Sequence, residues 1–361
     1  MEEIFPIFWP YYALALTLSV LLGLVAQRSR FCLQGGLRDW HNLGDSSRLR
    51  QFFAAMAFAM LATTLVESLS LTDLSATKPA YRSSQFAWGR YLVGGFIFGF
   101  GMVLASGCGF RQLIKSGEGS LKALWLISIM AITIFWLTRT TFFGVYVLPS
   151  FAPLTVALDS QQDIGSLFFS DDGLSARFAI SAGLCTLVAW QLQKHNATVG
   201  TWLASIGIGI AIALGFALTG GDYAAGLAEE AEFMSTPPYG LGSQSFTVSA
   251  PLGDVVYFLD QLSVSQITFG VLAVFGVLLG SALSAVSSKR FSITGFESRK
   301  DFGVATLGAV LAAFGAVLAM GCSVGHGITG IATLSAGSFI ATAAIAAGGL
   351  GAIKLMQPAK Q

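Results

Sequence analysis

The chain has 361 residues, 54% of them hydrophobic and 11% charged, with a mean hydropathy of +0.70 and a formal net charge of +1. Soluble domains carry about 25% charged residues, so the composition excludes that class and predicts an integral membrane protein surrounded by lipid. The apolar stretches are long runs, not the roughly 10-residue alternating segments of an outer-membrane barrel, and no basic tail points to nucleic acid.

In chain order, nine apolar runs predict nine spans: 11–27, 51–68, 90–106, 123–138, 177–193, 198–218, 266–287, 303–320 and 337–354. The first is a retained span, not a signal peptide. Acidic Glu2 and Glu3 precede it and arginines follow it, the reverse of a secretory leader. Basic residues then mark alternate loops. Arg28, Arg30, Arg38, Arg48 and Arg50 follow the first run, Lys194 and His195 the fifth, Lys289, Arg290, Arg299 and Lys300 the seventh, and Lys354 and Lys360 the last. The stretch around 140–176 holds Asp159, Asp163, Asp171 and Asp172, and that around 219–264 holds Asp222, Glu229, Glu230, Glu232, Asp254 and Asp260, neither with a Lys or Arg inside it. The positive-inside bias therefore predicts an outside N-terminus and a cytoplasmic C-terminus. The acidic outer stretches would repel an anion unless a basic group such as Arg82 or Arg90 stands near the entrance.

Two segments nearly repeat each other at an offset of 214 residues. Gly94 matches Gly308, Phe100 matches Phe314, Gly101 matches Gly315, and Val103-Leu104-Ala105 matches Val317-Leu318-Ala319. Gly107-Cys108 then matches Gly321-Cys322. The third span runs inward and the eighth outward, which predicts an inverted repeat of halves, about 1–150 and 178–361, within one transport domain over 1–361. Each Gly-Cys step follows a short span, as in broken or re-entrant helices, which survive at membrane depth only inside protein or beside a cavity.

Four cysteines occur, Cys32, Cys108, Cys185 and Cys322, and no two form a Cys-x-x-Cys pair. Cys185 lies in a plain apolar run and reads as packing. The other three have glycines nearby, Gly107 and Gly109 around Cys108 and Gly321 before Cys322, which let a backbone turn sharply and a ligand approach. A cysteine opening a short helix would bring backbone N–H groups toward an anion, and Arg30 at the cytoplasmic mouth favours the same sign. Arg111 and Gln112 either line a vestibule or mark the membrane surface. His326, four residues after Cys322, lacks the partners of a metal site and reads as a polar group satisfied by backbone. A protonated thiol suits an anion with a soft terminal sulfur, to which it offers a weak S–H hydrogen bond and a polarisable contact.

On Arg30-Phe31-Cys32 with Gly35-Gly36 and Arg38-Asp39, Ser106-Gly107-Cys108-Gly109, and Gly321-Cys322-Ser323 with Gly325, the chain resembles the YeeE/YedE family of sulphur-transport membrane proteins. The resemblance implies an all-α, hourglass-shaped bundle of nine transmembrane helices plus short re-entrant helices. It also implies a narrow waist lined by Cys32, Cys108 and Cys322, with Cys108 the least replaceable. The implied activity is uptake of thiosulfate, or a related sulfur anion, across the bacterial inner membrane, without cofactor or metal. A small cytoplasmic sulfurtransferase-like protein is the implied partner. The alternative is an enzyme, a membrane thiol–disulfide oxidoreductase or sulfurtransferase using the same cysteines covalently. In a third reading the cysteines are packing in a structural protein.

Overall fold

The computed structural model describes residues 4–169 and 173–356, so Glu2, Glu3, Asp171, Asp172 and Lys360 lie outside the described residues. Its helices are α1 (Ile4–Arg28), α2 (Leu33–Leu43), α3 (Ser47–Ser68), α4 (Trp88–Leu104), α5 (Gly109–Gly117), α6 (Leu121–Arg139), α7 (Leu148–Phe151) and α8 (Ile164–Phe168). They continue as α9 (Gly173–Lys194), α10 (Val199–Gly220), α11 (Asp222–Glu232), α12 (Ser249–Gln261), α13 (Phe269–Ser287), α14 (Arg299–Ala319) and α15 (Ala336–Met356). Strand is confined to the antiparallel pair Gln85–Phe86 and Val156–Ala157 among the described residues. Nine spans are long and apolar enough to cross a membrane among the described residues, at the predicted places.

Glycine sets how closely these helices approach. With no hydrophobic force between helices in lipid, small residues that let backbones touch supply the packing. On α4, Gly94 lies against Ala319 and Gly101 against Ala312, both of α14, and Gly99 against Ile345 of α15. From α14, Gly315 meets Phe98 and Gly308 meets Ala105. The α4–α14 contact therefore runs antiparallel. Shifted by 214 residues, the pair Gly94–Ala319 becomes Gly308–Ala105, which is also in contact. Gly276 and Gly280 of α13 press in the same way on Ser19 and Val20 of α1.

Two stretches read from sequence as outer loops carry more structure than that. The first contains a π-turn (Phe143–Val147), α7 and α8; the second contains α11 and α12. Between those two, Ser243 and Ser245–Val248 are buried in irregular backbone outside any helix or strand. Several of its polar groups are satisfied inside the protein. Ser245 Oγ donates to Ile212 O (2.7 Å), Gln244 N donates to Thr219 Oγ1 (2.8 Å), and Thr329 Oγ1 donates to Phe246 O. Such irregular backbone persists at depth only where protein covers it. At the same end, Arg82 forms a two-pronged pair with Glu67 while its Nε donates to Thr333 O (3.0 Å). Arg177 joins Glu67 (3.4 Å) to Asp163 (3.1 Å).

Candidate functional site

One backbone device precedes each of the three cysteines. A long helix ends in a left-handed residue, Arg30 (φ +53°), Ser106 (φ +58°) or Met320 (φ +63°), and the cysteine follows two positions later. The hydrogen bonds match too. Phe31 N donates to Ala26 O (3.1 Å), Gly107 N to Met102 O (2.8 Å) and Gly321 N to Ala316 O (2.9 Å). Arg30 N donates to Gln27 O (3.2 Å), Ser106 N to Val103 O (3.0 Å) and Met320 N to Val317 O (3.2 Å). This is the Schellman termination, normally built on glycine. The chain then restarts at the cysteine. Cys32 is the N-cap of α2, its Sγ accepting from Gly35 N (3.2 Å). Cys322 precedes a short π-helical segment, Gly325–Gly330, and its Sγ accepts from Gly325 N (3.5 Å). Cys108 is the N-cap of α5, its thiol beside the Arg111 N–H but without a cap bond as well formed as the other two.

The Cys108 thiol is an electrostatic neighbour of those of Cys32 and Cys322, and the Ser323 hydroxyl stands beside it. All three cysteines are buried. A void lined by Gly109, Cys322, Phe98, Met130 and Leu252 has room of about 10 Å³, the space of one water molecule. A second void of about 10 Å³ lies beside Thr247, Val248 and Val324. Beyond it opens a vestibule of about 230 Å³ lined by Lys78, Tyr239, Gln244, Thr247 and Asp254. Val248 lines both voids, and Thr247 lines the second void and the vestibule, so neighbouring spaces share a wall.

The other predicted residues take distinct places. Arg30 is exposed at its turn. Gly107 sits at φ +157°, backbone that a side chain disfavours. Gln112 is buried and ties the break together, its Nε2 donating to Ala105 O (2.6 Å) and Gly107 O (3.5 Å). Gly109 faces Val248, and a side chain on Gly321 would overlap the His326 ring. His326 donates from Nε2 to Ala319 O (2.7 Å). A carbonyl only accepts, so Nε2 carries a proton; burial disfavours a charged ring, which leaves Nδ1 bare to accept from the Ser338 hydroxyl (3.1 Å). The ring is thereby neutral and holds the Cys322 segment to α14 and α15. Arg111 Nη1 lies 3.6 Å from Glu118.

Two lysines escaped the sequence reading. Lys115, four residues after Arg111 on the same face of α5, donates to Ser106 O (2.7 Å) and lies in electrostatic reach of Cys32. The i, i+4 spacing was the available signal. Lys78 stands in the vestibule with its Nζ donating to Leu241 O, while Arg82 is committed to Glu67 and Arg90 donates to Leu318 O (3.0 Å). Asp254 in the vestibule is paired with Arg139 (3.4 Å). Cys185 is buried within α9, away from these turns.

Known proteins resemble this chain over most of its length. It is 27% identical over 334 residues to the thiosulfate transporter TsuA of Escherichia coli, covering 86% of this chain and 84% of that protein. It is 24% identical over 336 residues to the thiosulfate transporter TsuA of Spirochaeta thermophila, covering 91% and 93%. A probable transporter, YedE of Escherichia coli, matches at 25% identity over 117 residues, 32% of this chain and 27% of that protein. The sequence model of the family described as Sulphur transport matches residues 28–351, and the chain belongs to that family.

Proposed function

We propose that this protein carries thiosulfate, or a closely related sulfur anion, inward across the bacterial inner membrane through a waist formed by Cys32, Cys108 and Cys322. The observation that carries the reading is that the capping thiols of Cys32 and Cys322 both lie in electrostatic reach of Cys108, with a one-water void beside Cys322. A sulfur anion carries a soft terminal sulfur, and neutral thiols offer it weak S–H hydrogen bonds and polarisable contact. Weak contact at several stages lets the ion leave as readily as it enters. Nothing need change covalently along that path. The N-termini of α2 and α5 contribute partial positive charge at Cys32 and Cys108.

The reciprocal α4–α14 contacts support two halves of inverted topology, in a single domain spanning the chain. The vestibule end carries the acidic stretches and the opposite end the arginines after α1, which supports an outside vestibule, an outside N-terminus and a cytoplasmic C-terminus. A cytoplasmic sulfurtransferase-like protein would consume what arrives.

The test is uptake of labelled thiosulfate into cells or proteoliposomes. Cys108→Ala should slow uptake at least about tenfold, equivalent to about 1.4 kcal/mol of lost interaction along the path. Wild-type uptake with Cys108→Ala at normal expression would remove the waist from the mechanism. A persulfide on Cys108 after exposure to thiosulfate, read by mass spectrometry, would favour the covalent enzyme instead.

A further inference from the structure

Two hydroxyls above Cys322 have no partner. Tyr81 OH and Thr247 Oγ1 are both buried without a hydrogen bond, their residues 3% and 8% exposed. Buried hydroxyls are nearly always satisfied, and an orphan costs about 1–3 kcal/mol. Both point at one place. A methyl built on Gly325 would stand 2.7 Å from Thr247 Oγ1 and 3.5 Å from Tyr81 OH. Only glycine fits beside this cradle, since even a methyl there would overlap Thr247 Oγ1. The cradle lies on the path, since Thr247 lines both the vestibule and the void beside Val324. It also adjoins the thiols, because Cys322 lies in electrostatic reach of Tyr81.

We infer that Tyr81 and Thr247 form an oxyanion subsite on the vestibule side of Cys322, holding the oxygen end of the transported anion so that its sulfur end meets the thiols first. The inference rests on the transport reading above and specifies the orientation of the substrate. Its chemistry follows from donor type. Hydroxyls are hard donors that suit sulfonyl oxygens, whereas thiols suit the terminal sulfur. An anion with both ends satisfies both sets at once, while sulfate satisfies only the hydroxyls. The site then selects for an oxyanion with one soft end, and the orphaned hydroxyls are the cost of keeping it open.

The test uses purified full-length protein in detergent. Binding of labelled thiosulfate and thermal unfolding without ligand are compared for wild type, Tyr81→Phe, Thr247→Val, the double variant and Thr247→Ser. Each lost hydroxyl should raise Kd about tenfold and the pair about a hundredfold, while Thr247→Ser retains binding. The unfolding temperature of the ligand-free variants should hold or rise, because each removes an unsatisfied buried group. An unchanged Kd in the double variant overturns the subsite, as does a wild type that binds no thiosulfate. A weakened Kd accompanied by a lowered unfolding temperature assigns the hydroxyls to packing and overturns it too. Uptake into proteoliposomes judges the transport reading separately: a wild type that binds but does not transport removes that reading and leaves the subsite to the Kd comparison.

Discussion

At Gly107 one backbone angle decides where a thiol points. The residue sits at φ +157° between left-handed Ser106 and Cys108, and a Cβ there would come within 3.2 Å of Arg111 Cγ and Gln112 Nε2. Gly107→Ala should cost about 1–2 kcal/mol, read as a lowered unfolding temperature, and should reduce thiosulfate uptake by more than that stability loss explains. The Gly-Cys step was legible because both halves spell it at one offset. The left-handed residues were not, since Arg30, Ser106 and Met320 share no side-chain chemistry and the conformation comes from tertiary fit. Tyr81 and Thr247 were equally hidden. Each lies on a stretch that reads as exterior, and only the folded chain brings both to Gly325.

At the scale of elements, hydropathy placed the nine spans because a lipid-crossing helix must be an apolar run of fixed length. It gave no access to α12 or to the buried backbone before it, which are too short or too polar to register as spans. The clamp at the vestibule end was hidden for a similar reason, its members being distant in sequence. Asp163 caps α8, accepting from Ser166 N (3.0 Å) and from Arg177 (3.1 Å). Burial alone would raise its carboxyl, but the Ser166 hydrogen bonds and the Arg82 and Arg177 charges together hold it below the usual carboxylate range. A depressed group of this kind stabilises the fold above its unfolded pKa, about 3.9, and loses that contribution as pH falls through its lower folded value. Asp163→Asn should therefore lower the unfolding temperature at pH 7, and the gap from wild type should close in acid. A gap of constant size from pH 7 to pH 3 would exclude this linkage.

For the whole molecule, the asymmetry of charge makes orientation testable. Tyr239 is exposed in the vestibule stretch and Lys289 is exposed in the basic loop after α13. The native cysteines are buried, so an introduced one reports its own side of the membrane. An impermeant maleimide applied to intact cells should label Tyr239→Cys, and should label Lys289→Cys only after permeabilisation. The reverse pattern would invert the direction assigned to transport.

The single-water space beside Cys322 has one more consequence. On the proposed path, so tight a conduit would form no continuous file of solvent and would give protons and small inorganic ions no leak. A five-atom anion would then pass only when the surrounding helices breathe apart, and uptake should saturate at rates far below those of an open pore.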